Sequence, residues 1–139
     1  MTGVNAEPSV RRATCACGQL AIECTGDPIR VSVCHCLDCQ RRSGSAFAMQ
    51  ARFPNDRVRI TGRSKQWTRV GDEGGKGIMD FCPDCGSTLF YRVAFDPDVV
   101  AVAVGGFGDP DFPPPEYSVY EGRKHRWLEI VGNGIDHYQ

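Results

Sequence analysis

Cys15-Ala16-Cys17-Gly18, Cys34-His35-Cys36-Leu37-Asp38-Cys39 and Phe81-Cys82-Pro83-Asp84-Cys85-Gly86 hold seven of the eight cysteines of this 139-residue chain. A closed tetrahedral zinc site takes four thiolates. The remaining three are the ligand number of a zinc ion with one position left open. Spacing divides the seven into four and three without saying which cluster supplies the three.

Cysteines two or three positions apart pair poorly as disulfides, because the bridge geometry does not fit so short a loop. The same spacing suits a knuckle, in which a tight turn aims two sulfurs and several backbone N–H groups at one ion. Gly18 and Gly86 follow their pairs and accept the positive φ at which such turns reverse. Met1 to Pro8 has no basic start followed by an apolar run, and no segment approaches a membrane span. The expectation is a cytoplasmic protein, and in a reducing compartment such clusters read as metal ligands in preference to disulfides or a redox dithiol.

Length predicts one domain: a loose tail over residues 1–9 and a single two-zinc β domain over 10–139. Sixteen Lys and Arg against 17 acidic residues give a formal charge of −1. Seven thiolates and two Zn²⁺ would bring this to about −4. That balance lacks the basic footprint of a nucleic-acid binder, and the local basic groups at 11–12, 41–42 and 123–126 read as solvated surface. Sixteen glycines and nine prolines speak for many turns between short elements.

Working outward from the clusters, Leu20, Ile22 and Cys24 alternate with polar or small residues as a half-buried strand, on which Cys24 reads as a small buried hydrophobe. Ile29, Val31 and Val33 alternate up to the central cluster. Leu37 to Ser43 suits a short helix closed by Gly44. Further strands are predicted at 46–52, 58–61, 66–70, 78–81, 88–93, 99–104, 117–120 and 127–131, with 105–115 as loop because Pro113, Pro114 and Pro115 cannot pair in a central strand. Regular short strands predict an all-β fold of short antiparallel sheets with one short helix after the central cysteine cluster. A site joining the first and last clusters would staple sheet regions far apart in sequence.

The ordered series C-x-C-G, C-H-C-x-x-C with a basic pair and Ser43-Gly44, then F-C-x-x-C-G, resembles the glutathione-dependent formaldehyde-activating enzyme family, which includes centromere protein V. The likeness runs from about Thr14 to about Ile135. It implies a zinc-stapled β-tent with two zinc ions: a closed structural one on Cys15, Cys17, Cys82 and Cys85, and a catalytic one on Cys34, Cys36 and Cys39. It also implies a carbon–sulfur lyase that joins formaldehyde and glutathione as S-(hydroxymethyl)glutathione, or acts on a related thiol and aldehyde pair. Three thiolates make zinc electron-rich, better suited to holding a fourth, exogenous thiol deprotonated than to activating water. Arg41 and Arg42 are candidates to receive a substrate carboxylate, with an exposed helix face as the plainer reading, and Ser43 with Gly44 is a candidate to present backbone N–H groups.

Two rival readings stand beside this one. The chain could be a non-catalytic zinc module contacting protein or nucleic acid. Alternatively, both sites are structural and Cys24 or His35 completes the second. His35 is expected to point away from the sulfurs. His125 and Trp127 read as a surface histidine and a core tryptophan, with pocket-lining as their functional alternative.

Overall fold

The structure, a computed structural model, describes residues 8–71 and 74–139. The elements are β1 (Val10–Thr14), β2 (Ala21–Thr25), β3 (Arg30–Cys34), α1 (Leu37–Ser43), β4 (Ala48–Pro54), β5 (Val58–Thr61), β6 (Lys65–Val70), β7 (Lys76–Phe81), β8 (Thr88–Val93), β9 (Asp96–Ala103), β10 (Tyr117–Val119) and β11 (Asp136–His137). Single turns of 3-10 helix lie at Asn55–Arg57, Val104–Phe107 and Glu121–Arg123. The fold is mostly β with one helix, as the sequence predicts.

Two sheets form, a small one in the order β1-β2-β5 and a large one in the order β11-β10-β3-β4-β9-β8-β7-β6. Pairing is antiparallel except at one edge, where β10 runs parallel to both β3 and β11. Alternation along β3 decides the layering. Val31 joins the core between the sheets with Ala51 and Phe53 of β4, Phe90 of β8 and Val100 and Val102 of β9. Ala13, Leu20, Ile22 and Cys24 close the same core from the small sheet. Each large side chain withdrawn from water there contributes about 1.5–3 kcal/mol.

The other face of the large sheet is therefore set by the residues in between: Ser32 and Cys34 on β3, Ala48, Gln50 and Arg52 on β4, Ala101 and Ala103 on β9, and Tyr91 on β8. Register places Cys34 opposite Ala48, Ser32 opposite Gln50, Gln50 opposite Ala103, and Arg52 between Arg30 and Ala101. Helix α1 leaves β3 at the Cys34 end and spans Leu37–Ser43, as read from its start and stop signals. Its N-cap is Cys36, whose sulfur accepts the Cys39 N–H, and it ends at Gly44 in the left-handed conformation (φ 66°). Asp38 in the first turn and Arg41 and Arg42 in the last suit the helix dipole.

Three expectations need correction or lie outside the structure. β1 was not anticipated, because Val10-Arg11-Arg12-Ala13-Thr14 buries only Ala13 and shows no apolar alternation. The strand predicted at 127–131 does not form. The edge beyond β10 is taken by Asp136 and His137 of β11, and Trp127 and Val131 stay 73% and 80% exposed. Trp127 is consequently not a core residue. Of the loose tail expected over 1–9, all but Pro8 and Ser9 fall outside the described residues.

Gly62, just after β5, has a φ of +95°, and a Cβ there would collide with the Gln19 carbonyl oxygen and lie 2.9 Å from the Leu20 Cα. Both obstacles are backbone and cannot swing away. Gly62→Ala is expected to lower stability by about 3 kcal/mol or more, from overpacking and left-handed strain together. A urea midpoint within experimental error of wild type would contradict this.

Candidate metal centres

Two groups of sulfur atoms converge. Cys15, Cys17, Cys82 and Cys85 form one and Cys34, Cys36 and Cys39 the other, with all ligand atoms of each group within 4.8 Å of one another. All eight cysteines are free thiols.

The four-sulfur group lies where the β1–β2 and β7–β8 connections meet. Cys17 Sγ is 3.7 Å from both Cys15 Sγ and Cys82 Sγ. Zinc–sulfur bonds of about 2.3 Å at tetrahedral angles require sulfurs about 3.8 Å apart, so this donor set fits a zinc ion. Backbone N–H groups point at the sulfurs, Leu20 at Cys15 (3.3 Å) and Asp84 at Cys82 (3.4 Å). Cys85 is held at about 5, chiefly by the Ser87 hydroxyl.

Gln19, which nothing in the sequence singles out, belongs to this group. Its amide nitrogen donates to Cys82 Sγ (3.0 Å) and to the Arg63 carbonyl (2.7 Å), while its oxygen accepts the Arg63 N–H (3.0 Å). Arg63 in turn meets Asp84 at 2.6 Å. No local pattern announces a glutamine whose partners are 44 and 63 positions away.

The three-sulfur group is built by the end of β3 and the start of α1. Cys34 is buried at the last strand position and its thiol donates to Cys36 Sγ at 3.4 Å. The Cys39 N–H reaches the same Cys36 sulfur at 3.3 Å. Hydrogen bonding from the Cys34 thiol, aided by Cys36 and the neighbouring Arg42 guanidinium, lowers Cys39 to about 6. The bond it gives to Cys39, together with burial, pushes Cys34 up. Three close sulfurs with one readily ionised thiol again suit a thiophilic divalent ion.

Among the described residues no fourth Cys, His, Asp or Glu joins this trio. Cys24 is fully buried in the core beside Leu20 and Ile22, as a small hydrophobe would be. His35 is fully buried and points away from the sulfurs, its Nε2 2.9 Å from Ser118 Oγ, and burial lowers its pKa.

Gln40 of α1 ties the cluster to the C-terminal segment. Its amide nitrogen donates to the carbonyls of His35 (2.7 Å) and Arg123 (3.0 Å), and its oxygen lies 2.9 Å from His125 Nε2. His125 thus buttresses the helix. Arg69 of β6 holds Asp38, between Cys36 and Cys39, at 2.8 Å. Neither Gln40 nor Arg69 stands out in the sequence.

A cavity of about 570 Å³ opens beside the last turn of α1 and the turn that follows Cys85, with no cysteine in its lining. Ala48, the cross-strand partner of Cys34, lines it, as do Ser87 beyond the Cys82–Cys85 turn and Ala103 of β9. Of the basic pair and serine singled out in the sequence, Arg42 and Ser43 line this cavity. Arg41 is exposed and lies apart from it. Arg42 lies over the Tyr91 ring, 5.1 Å from its centroid.

Similarity to known proteins extends over most of the chain. The sequence profile of the "glutathione-dependent formaldehyde-activating enzyme" family matches residues 10–123. A Penicillium rubens protein named "Putative glutathione-dependent formaldehyde-activating enzyme" is 30% identical over 89 residues, 57% of this chain. The match spans only 46% of that relative's length. A crystal structure of a Rhodobacter sphaeroides protein shares the fold, with a TM-score of 0.54 at 20% identity over 92% of this chain and 99% of its own. With seven cysteines in the order and spacing described, and a family match over most of its length, the chain belongs to the glutathione-dependent formaldehyde-activating enzyme family.

Proposed function

We infer that this protein is a zinc-dependent carbon–sulfur lyase that forms or cleaves the adduct of a small thiol and an aldehyde. Glutathione and formaldehyde, giving S-(hydroxymethyl)glutathione, are the pair favoured by the family and by the named Penicillium relative. The observation that carries the reading is a trio of sulfurs with no fourth protein donor among the described residues, beside an open cavity.

Cys34, Cys36 and Cys39 would hold the catalytic zinc, and Cys15, Cys17, Cys82 and Cys85 the structural one. When bound, the catalytic ion supplies a lowered pKa to a thiol at its open position. The rest falls to the chain. Ala48, opposite Cys34, and Ala103, opposite Gln50, are small and line the space a substrate would enter. Arg42 places a permanent positive charge at the cavity wall, next to Cys39. Gln40 and Arg69 fix α1, so that Cys36 and Cys39 keep their position against Cys34. Adduct formation joins the thiol sulfur to the carbonyl carbon, and the thiol proton ends on the carbonyl oxygen. Holding both partners in one cavity lowers the entropic part of that barrier.

No described helix is long and apolar enough to cross a membrane, and free thiols throughout support a reducing, cytoplasmic setting. The test is exchange spectroscopy by NMR on mixtures of glutathione and formaldehyde. Protein of measured zinc content is expected to speed exchange by about 10²-fold or more, in proportion to its concentration. No acceleration with any thiol tried would remove the enzyme reading and leave a zinc module that contacts other macromolecules.

A further inference from the structure

Beside the three-sulfur group, the same face of the large sheet gathers polar groups that the reaction outlined above does not use. Arg30 and Arg52 are directly opposed across β3 and β4. Like charges so placed repel, and neither meets a carboxylate within ion-pair distance among the described residues. Arg52 Nη1 donates to Ser32 Oγ at 3.3 Å, and Gln50 Nε2 donates to the same oxygen at 3.0 Å. Gln50 is 3% exposed, and its side-chain oxygen has no partner. Arg30 stacks on Tyr117 at 4.4 Å, leaving its buried Nε without an acceptor.

Tyr91 completes the group. It is 9% exposed, and the Arg42 guanidinium lies over its ring. Burial raises its pKa, while the charges of Arg52 and Arg42 lower it. Ala101, beside Arg52 and Tyr91, leaves room.

Arg52 and Arg42, cations with no carboxylate within ion-pair distance among the described residues, call for an anion. The one unmatched acceptor, Gln50 Oε1, calls for an N–H near that anion and repels a bare phosphate. A carboxylate beside an amide or amine nitrogen satisfies both. Ser32, which Arg52 reaches, is two residues from Cys34 along the strand, about 7 Å. An extended peptide covers that distance in about two residues.

We propose that Arg52, Arg42, Tyr91 and Gln50, with Arg30 behind them, form a subsite for the carboxylate and adjoining N–H of a peptide thiol, set about two residues from the sulfur. This rests on the thiol reading of the three-sulfur group but stands or falls separately, because two probes divide them. S-methylglutathione keeps the carboxylates and has no free thiol. Glutathione diethyl ester keeps the thiol and has no carboxylates.

Calorimetric titration of zinc-loaded wild-type protein is expected to show binding of S-methylglutathione, weakened about ten-fold or more in Arg52→Gln and to a lesser extent in Arg30→Gln. The diethyl ester is expected to bind wild type more weakly than glutathione does, and equally to wild type and Arg52→Gln. The ester comparison needs no variant, so a folding defect in Arg52→Gln cannot decide the outcome. If S-methylglutathione fails to bind, or the ester matches glutathione on wild type, the subsite is wrong even where thiol exchange is still accelerated. If S-methylglutathione binds in an arginine-dependent manner and no thiol is accelerated, the subsite stands and the lyase reading falls.

Discussion

Cys82→Ala is expected to leave the chain largely unfolded. Cys82 has no exposed surface, sits in the core cluster with Cys15, Leu20 and Phe90, and accepts hydrogen bonds from Gln19 and Asp84. A structural zinc contributes roughly 10–16 kcal/mol to folding at neutral pH, against a total stability of about 5–15 kcal/mol for a typical domain. Three remaining sulfurs cannot hold the β1–β2 and β7–β8 connections together with comparable strength. Far-UV circular dichroism should lose its β signal, and chelator should extract zinc readily. Cys24→Ala is the control. That residue is equally buried in the same core, and removing its sulfur costs only about 1 kcal/mol of packing. If the two variants melted alike, the four sulfurs would be holding nothing.

What the sequence disclosed and what it withheld divide along physical lines. The cysteine clusters and α1 were legible because their signals are local: two thiols on one turn, and a glycine at 44 to close the helix. β3 and β9 were legible because strand alternation and β-branched residues act within a few positions. Pairing partners were not. β1 is ordered by its ladder to β2, and β11 pairs in parallel with an edge strand 19 residues upstream, Asp136 beside Tyr117 and His137 beside Ser118. Neither carries its own apolar pattern. That cysteines 15, 17, 82 and 85 share one site came from the family resemblance, since no spacing encodes the meeting of the β1–β2 and β7–β8 connections. Gln19, Gln40, Arg52 and Tyr91 stayed hidden for the same reason. Each acts on groups dozens of positions away, so its role appears only once the register is fixed.

Cys39→Ser is expected to have the opposite profile to Cys82→Ala: a folded protein without activity. The choice among the three sulfurs matters. Cys34 is buried in β3 and Cys36 caps α1, so replacing either would damage structure as well as the cluster. Cys39 lies on α1, a helix with no buried residues, and a serine there preserves side-chain shape. The loss should be about 1 kcal/mol, or a melting shift of about 3–6 °C, because α1 remains anchored through Gln40 and the Arg69–Asp38 pair. Zinc content should fall from two per chain to one. Acceleration of thiol–formaldehyde exchange should vanish, since the sulfur most readily ionised in the trio is gone. Hydroxyl oxygen is a poor substitute ligand at neutral pH. A Cys39→Ser protein that unfolded as completely as Cys82→Ala would mean that both clusters serve as staples. One that kept full activity with a single zinc would move the chemistry away from residues 34, 36 and 39 altogether.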